Sequence, residues 1–180
     1  MKSFGKLVYP AFVQQDDEGM FCVYFPTLFP ESGWEFPLSK AKTKRKAIKN
    51  AEKDLAYSLA GILYDNEELP EPIPIQSDRL SPEMELINIE TLFEPYGQEI
   101  QEHLKGRHWH IGYYDEDTEE YLEAIGFKND QGMWDIFYEF YSEEEGDHIE
   151  TFLFTVKLRS EAEERFKQYV EEKILKRGAN

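Results

Sequence analysis

Seven apolar residues recur at three- and four-residue steps in one stretch of the chain: Ala47, Ile48, Ala51, Leu55, Leu59, Ile62 and Leu63. On a helix that spacing gathers them into a single stripe, so residues 44–64 are predicted to form a long amphipathic helix. Thr43 stands where a cap belongs. A one-sided stripe has to be covered by another layer. The neighbouring sequence supplies that layer as strands.

Residues 7–14 carry Tyr9, Phe12 and Val13, which favour a strand, and Pro10 predicts an edge or an irregularity in it. Asp16-Asp17-Glu18-Gly19 reads as a hairpin turn. The return strand, 21–25, puts Phe21, Val23 and Phe25 on one face and Cys22 and Tyr24 on the other. Residues 27–40 hold Pro30, Gly33 and Pro37 and read as a loop, with a short third strand near 34–38. After the helix, Pro70, Pro72, Pro74 and Pro82 mark residues 66–82 as an extended connector. Residues 84–89 alternate as a fourth strand. The first half therefore spells β-β-β-α-β.

The second half restarts. Residues 92–104 read as helical, interrupted at Pro95 and Gly97, and 109–114 as a strand. Residues 118–125 read as a short helix, capped by Thr118 and stopped by Gly126. Residues 133–141 and 149–158 are aromatic and β-branched and read as an antiparallel hairpin around Glu143-Glu144-Glu145-Gly146-Asp147. Ser160, with Glu163 as capping-box partner, opens a last helix whose stripe is Phe166, Tyr169, Val170, Ile174 and Leu175. Lys173, Lys176 and Arg177 suit its C-terminal end. The expected architecture is α+β in two small domains, 1–92 and 93–180.

Charge is segregated along the chain, with a break near residue 55. The chain of 180 residues has a formal net charge of −17. Residues 1–55 carry nine Lys+Arg against seven Asp+Glu, and the remainder carries eleven against thirty. The second domain therefore repels phosphate, which speaks against DNA as its ligand. One cysteine, Cys22, forms no internal disulfide and fits a reducing compartment. No apolar run is long enough for a membrane span, and the N-terminus lacks a signal stretch, so a cytoplasmic protein is expected.

Several short motifs in the first half carry a resemblance. They are Tyr9-Pro10-Ala11-Phe12, Asp17-Glu18-Gly19-Met20-Phe21 and Val23-Tyr24-Phe25-Pro26-Thr27-Leu28. The helix with Ala47, Ala51, Leu55 and Gly61 follows, then Glu67-Glu68-Leu69-Pro70-Glu71-Pro72, then Ile87-Asn88-Ile89-Glu90. In order and spacing this resembles the HicB-type antitoxins over residues 4–92. The resemblance implies a partial RNase H-like or dsRBD-like domain without a catalytic acidic cluster. It also implies a non-catalytic role: HicB proteins bind and silence a small ribonuclease toxin, HicA. Three features depart from the family. Residues 29–34 lack its usual Gly-Cys step, the helix start is basic rather than acidic, and 93–180 show no helix-turn-helix or ribbon-helix-helix signature.

Five groups of residues are weighed for function. Lys40, Lys42, Lys44, Arg45, Lys46 and Lys49 form the main positive cluster, an RNA or acidic-protein surface if not simply a solvated helix start. His108 and His110 share one strand face and, with His103 or Asp115, have metal-binding side chains; ordinary surface histidines are the plainer reading. Asp115-Glu116-Asp117 and Glu143–Asp147 lack the alternating ligand spacing of a calcium loop and read as solvated turns. Cys22 reads as a small core residue. No metal, cofactor or nucleophile–base set is expected. Rings fall on both faces of the last hairpin, with Phe137 and Tyr141 opposed to Tyr138 and Phe140. Either both faces are covered or one meets a partner, a second copy included.

Overall fold

The computed structural model describes residues 5–30, 32–115, 120–142 and 147–174. The protein is α+β, with two four-stranded antiparallel sheets and three α-helices among the described residues. The chain divides into two compact units: 1–64 with 68–104, and 65–67 with 105–180. Residues 93–104 thus group with the first unit.

The first unit contains β1 (Leu7–Gln15), β2 (Phe21–Tyr24), β3 (Ser39–Ala41), α1 (Lys44–Tyr64), β4 (Glu85–Thr91) and α2 (Gly97–Leu104). Its sheet has the order β3-β2-β1-β4. Asp16 closes the first hairpin by accepting from the Glu18 and Met20 N–H groups at 3.1 and 2.8 Å. Gly19 takes the left-handed conformation there, φ 76°. Pro10 lies where β1 is paired to β4 only, since β2 pairs no further back than Phe12. A residue without an N–H is tolerated at such a local edge.

The predicted stripe is the buried face of α1. Ala47, Ala51, Leu55 and Leu59 pack on Ala11, Val13, Val23, Phe25 and Ile89 from the sheet. The alanines let the helix approach closely, and the Ser39 hydroxyl donates to the Ala47 carbonyl at 2.8 Å. Thr43 caps α1 by accepting from the Lys46 N–H at 3.3 Å. The other sheet face is covered without an α-helix. Phe12 stacks on Tyr24, and Trp34, Ile75, Leu80 and Met84 close over them. The proline-rich connector is therefore part of the core, and Tyr9 ties it down by donating to the Pro70 carbonyl at 2.7 Å.

The second unit is a meander of β5 (His108–Asp115), β6 (Glu120–Lys128), β7 (Trp134–Ser142) and β8 (Asp147–Val156), followed by α3 (Arg159–Tyr169). One sheet face packs on α3. Trp109 and Trp134 stack at 3.8 Å between ring centroids, and Ile111, Ala124, Ile136, Val156, Ala162 and Phe166 are buried with them. Gly126 leaves room there: a Cβ would meet Ile136 Cδ1 at 2.8 Å, so the end of that side chain would have to shift. Residues 65–67 are held by this unit. Arg107 donates to both Asp65 carboxylate oxygens, at 3.1 and 2.7 Å, and Asn66 donates to the Gly132 and Lys157 carbonyls.

Three sequence expectations are corrected. Residues 120–128 are a strand, not a helix, because the residues alternate: Leu122, Ala124 and Gly126 face inward while Tyr121, Glu123, Ile125 and Phe127 face outward, in register with β5. The third strand lies at Ser39–Ala41 rather than 34–38, since residues 32–36 are spent on turns in which Gly33 and Phe36 donate to the Phe29 and Ser32 carbonyls. Ser160 is not a cap: α3 starts at Arg159, two residues earlier than a Ser160 cap would place it, with extended Leu158 at the cap position and no side-chain cap bond. Thr118, residues 143–146 and the end of the last helix, from 175 on, lie outside the described residues.

Candidate interaction surfaces

The six cations of the positive cluster do not form one free patch. Lys40 lies on β3 and pairs with Asp16 at 2.6 Å and Glu18 at 3.1 Å. Those carboxylates push its ammonium pKa upward, while the Lys40 hydrogen bond and the Met20 N–H hold the Asp16 carboxyl low. Lys44 pairs with Glu85. Lys42, Arg45, Lys46 and Lys49 remain exposed around the first two turns of α1. Arg45 and Lys49 are one helical turn apart and flank Ile48 and Glu52 on a shallow open face.

Cys22 is 1% exposed, and burial raises its thiol pKa, as expected of a core residue. His103 belongs to the first unit, where its ring stacks on Tyr57. The Asp115 side chain lies outside the described residues. His108 and His110 are exposed on β5 with their Nε2 atoms 3.0 Å apart. His108 Nδ1 meets the Gly106 carbonyl at 3.1 Å, and His110 Nδ1 meets Glu123 Oε1 at 2.7 Å. Among the described residues, no three His, Cys, Asp or Glu side chains converge as a complete metal-ligand set. No helix among them is long and apolar enough to cross a membrane.

The surface that the sequence left undecided is the second sheet. Its inner face carries Tyr138, which packs against Phe166 and Tyr169 of α3. Within that unit, no described helix or strand covers the opposite face. There His108, Phe127, Phe137 and Phe152 follow one another across four strands, with ring centroids 5.9, 6.2 and 5.6 Å apart. Phe127 is 41% and Phe152 54% exposed, and Ile125 stands between Phe127 and Glu123. The rim is acidic: Glu123, Asp135 and Glu150 alternate into the same face. Lys128 is the single Lys or Arg in β5–β8, and its ammonium lies over the Trp134 ring on the covered side, 5.5 Å from the centroid. Among the described residues of β5–β8, the open face is thus aromatic, edged with carboxylates and without a lysine or arginine.

Comparison with protein-family models finds no match, and comparison with curated proteins finds none. Among solved structures, the chain is similar to a chain of a toxin–antitoxin complex from Streptococcus pneumoniae. The two are 17% identical, with a TM-score of 0.40, over 51% of this chain and 73% of that one. Overlap at that level is partial.

Proposed function

We propose that the protein is a non-catalytic, antitoxin-type binding protein that docks a small basic protein on the open face of its second sheet. The observation that carries this is the face itself: Ile125, Phe127, Phe137 and Phe152 surrounded by Glu123, Asp135 and Glu150, with no Lys or Arg among its described residues. Exposed apolar residues ringed by one sign of charge suit a partner that brings apolar anchors and the opposite sign. A second copy would set carboxylates against carboxylates. The HicB-like order of motifs in the first unit points to a HicA-like ribonuclease as the partner. Occlusion is the mechanism: the acidic rim stands in for the phosphates that such a partner's basic site would otherwise hold.

The test is co-expression with a candidate small basic ribonuclease, sought first in the neighbouring reading frames. A complex and relief of toxicity are expected, and Phe127→Lys with Phe152→Lys should abolish both while leaving the fold intact. Absence of a complex, or a complex indifferent to those substitutions, overturns the reading. A concentration-dependent dimer lost on the same substitutions would assign the face to a second copy. The runner-up is an RNA-binding surface on Lys42, Arg45, Lys46 and Lys49, favoured by their lack of ion pairs among the described residues.

A further inference from the structure

The geometry points to a divalent transition-metal site at His108 and His110, one that takes copper(II) or nickel(II) in preference to zinc. The argument starts from the hydrogen bonds around each ring. His108 Nδ1 faces only an acceptor, the Gly106 carbonyl at 3.1 Å. His110 Nδ1 likewise faces a carboxylate, Glu123 Oε1 at 2.7 Å. Each Nδ1 must therefore carry the proton, which fixes both tautomers. In neutral rings so oriented, both Nε2 atoms present lone pairs, and those atoms are 3.0 Å apart. Two lone pairs at that distance repel unless an electrophile lies between them. A metal ion supplies one without protonating either ring.

The arrangement also has the outer shell of a metal site. Histidine ligands commonly donate their second nitrogen to a carboxylate or a backbone carbonyl, which orients the ring and raises its basicity. Here one ring has each. The spacing then selects the metal. With metal–nitrogen bonds of about 2.05 Å, a separation of 3.0 Å gives an N–M–N angle of about 94°. That suits neighbouring positions of a square-planar or octahedral ion, whereas a tetrahedral zinc ion needs the nitrogens farther apart. The order of affinities for nitrogen ligands also places copper(II) first. Water fills the remaining positions, since the protein supplies two ligands. Both rings are solvent-exposed on the strand, so an ion reaches them directly.

The site is tested on the protein alone, with no partner present. Titration of the full chain with copper(II), followed by calorimetry and by electron paramagnetic resonance, should give one tight equivalent with hyperfine coupling to two imidazole nitrogens. His108→Ala and His110→Ala should each weaken that equivalent at least about tenfold, and Glu123→Ala roughly 10–100-fold. His103→Ala should leave it unchanged. Nickel(II) should bind more weakly than copper(II), and zinc(II) no more tightly than nickel(II). These exposed substitutions leave the buried core intact, and unchanged circular dichroism checks that. Absence of the equivalent, its survival in both histidine variants, or a preference for zinc overturns the inference.

Discussion

Replacing Phe166 with alanine tests how the second unit is held together. α3 buries only Ala162 and Phe166 along its length, and Val170 just past its end. Ala162 contributes one methyl group, so the Phe166 ring does most of the sealing. It is 1% exposed and lies 6.1 Å from the Tyr138 ring between centroids. A buried Phe removes about 150–250 Å² from water, worth about 4–6 kcal/mol at 25 cal/mol/Å², and alanine keeps part of that. Substitutions of this kind cost about 3–5 kcal/mol once the cavity is included. For a unit of this size, 3 kcal/mol lowers Tm by about 12 °C or more. The readout is near-ultraviolet circular dichroism, because the stacked Trp109 and Trp134 give this unit its own signature. Thermal and urea unfolding should both shift. A loss below about 1 kcal/mol would refute the assignment of Phe166 as the main seal of α3.

Asp16 links the first hairpin to pH. Its folded pKa lies below the unfolded one because of Lys40 and the Met20 N–H. The resulting stability is present above about pH 4 and is lost as pH falls through the folded value, so Asp16→Asn should flatten the acid limb of a stability–pH curve. Lys40 acts at the other end, its raised pKa giving stability that is lost as pH rises through the folded value. Cys22 should react with Ellman's reagent only as the protein unfolds, because its thiol is buried and its pKa raised; fast labelling of the native protein would contradict its place in the core. If RNA does bind the N-terminal cations, four free charges give a slope of log K against log salt of about −2.8, and all six would give about −4.2. The measured slope thus reports whether the Lys40 and Lys44 ion pairs persist in the complex.

The helix α1 was legible to the residue because a 21-residue stripe has one consistent period and a cap at Thr43. The first hairpin was legible because Asp16 and Gly19 do local work, within four residues of one another. Strand β6 was misread for an equally local reason. Tyr121, Leu122 and Ile125 satisfy helical spacing, and Gly126 resembles a helix stop. The competing alternation of Tyr121, Glu123, Ile125 and Phe127 is decided only by the ladder to β5. That error hid the candidate site. Glu123 comes next to His110 through strand pairing 13 residues away, so sequence pointed instead to His103 and Asp115. The basic cluster looked larger than it is for the same reason: Glu85, which pairs with Lys44, lies 41 residues downstream. Contacts set by sheet register are invisible to spacing along the chain.

The acidity of the second half acquires a direction once the strands are placed. A diffuse excess of carboxylates would only keep the protein apart from nucleic acid and from itself. Here Lys128, the one cation of β5–β8, is drawn to the covered side by Trp134 and Asn66, which leaves the aromatic face with carboxylates alone. Phosphate is repelled from that face, and so is a copy of the same face. On the function proposed above, a basic protein is the partner it attracts. The histidine pair sits at one corner of it, with Glu123 as its outer partner. A divalent ion bound there would place two positive charges beside a surface built to receive cations. It would also hold Glu123 to His110 and away from any partner. Metal and basic partner must then oppose one another, and by linkage each weakens the other by the same factor.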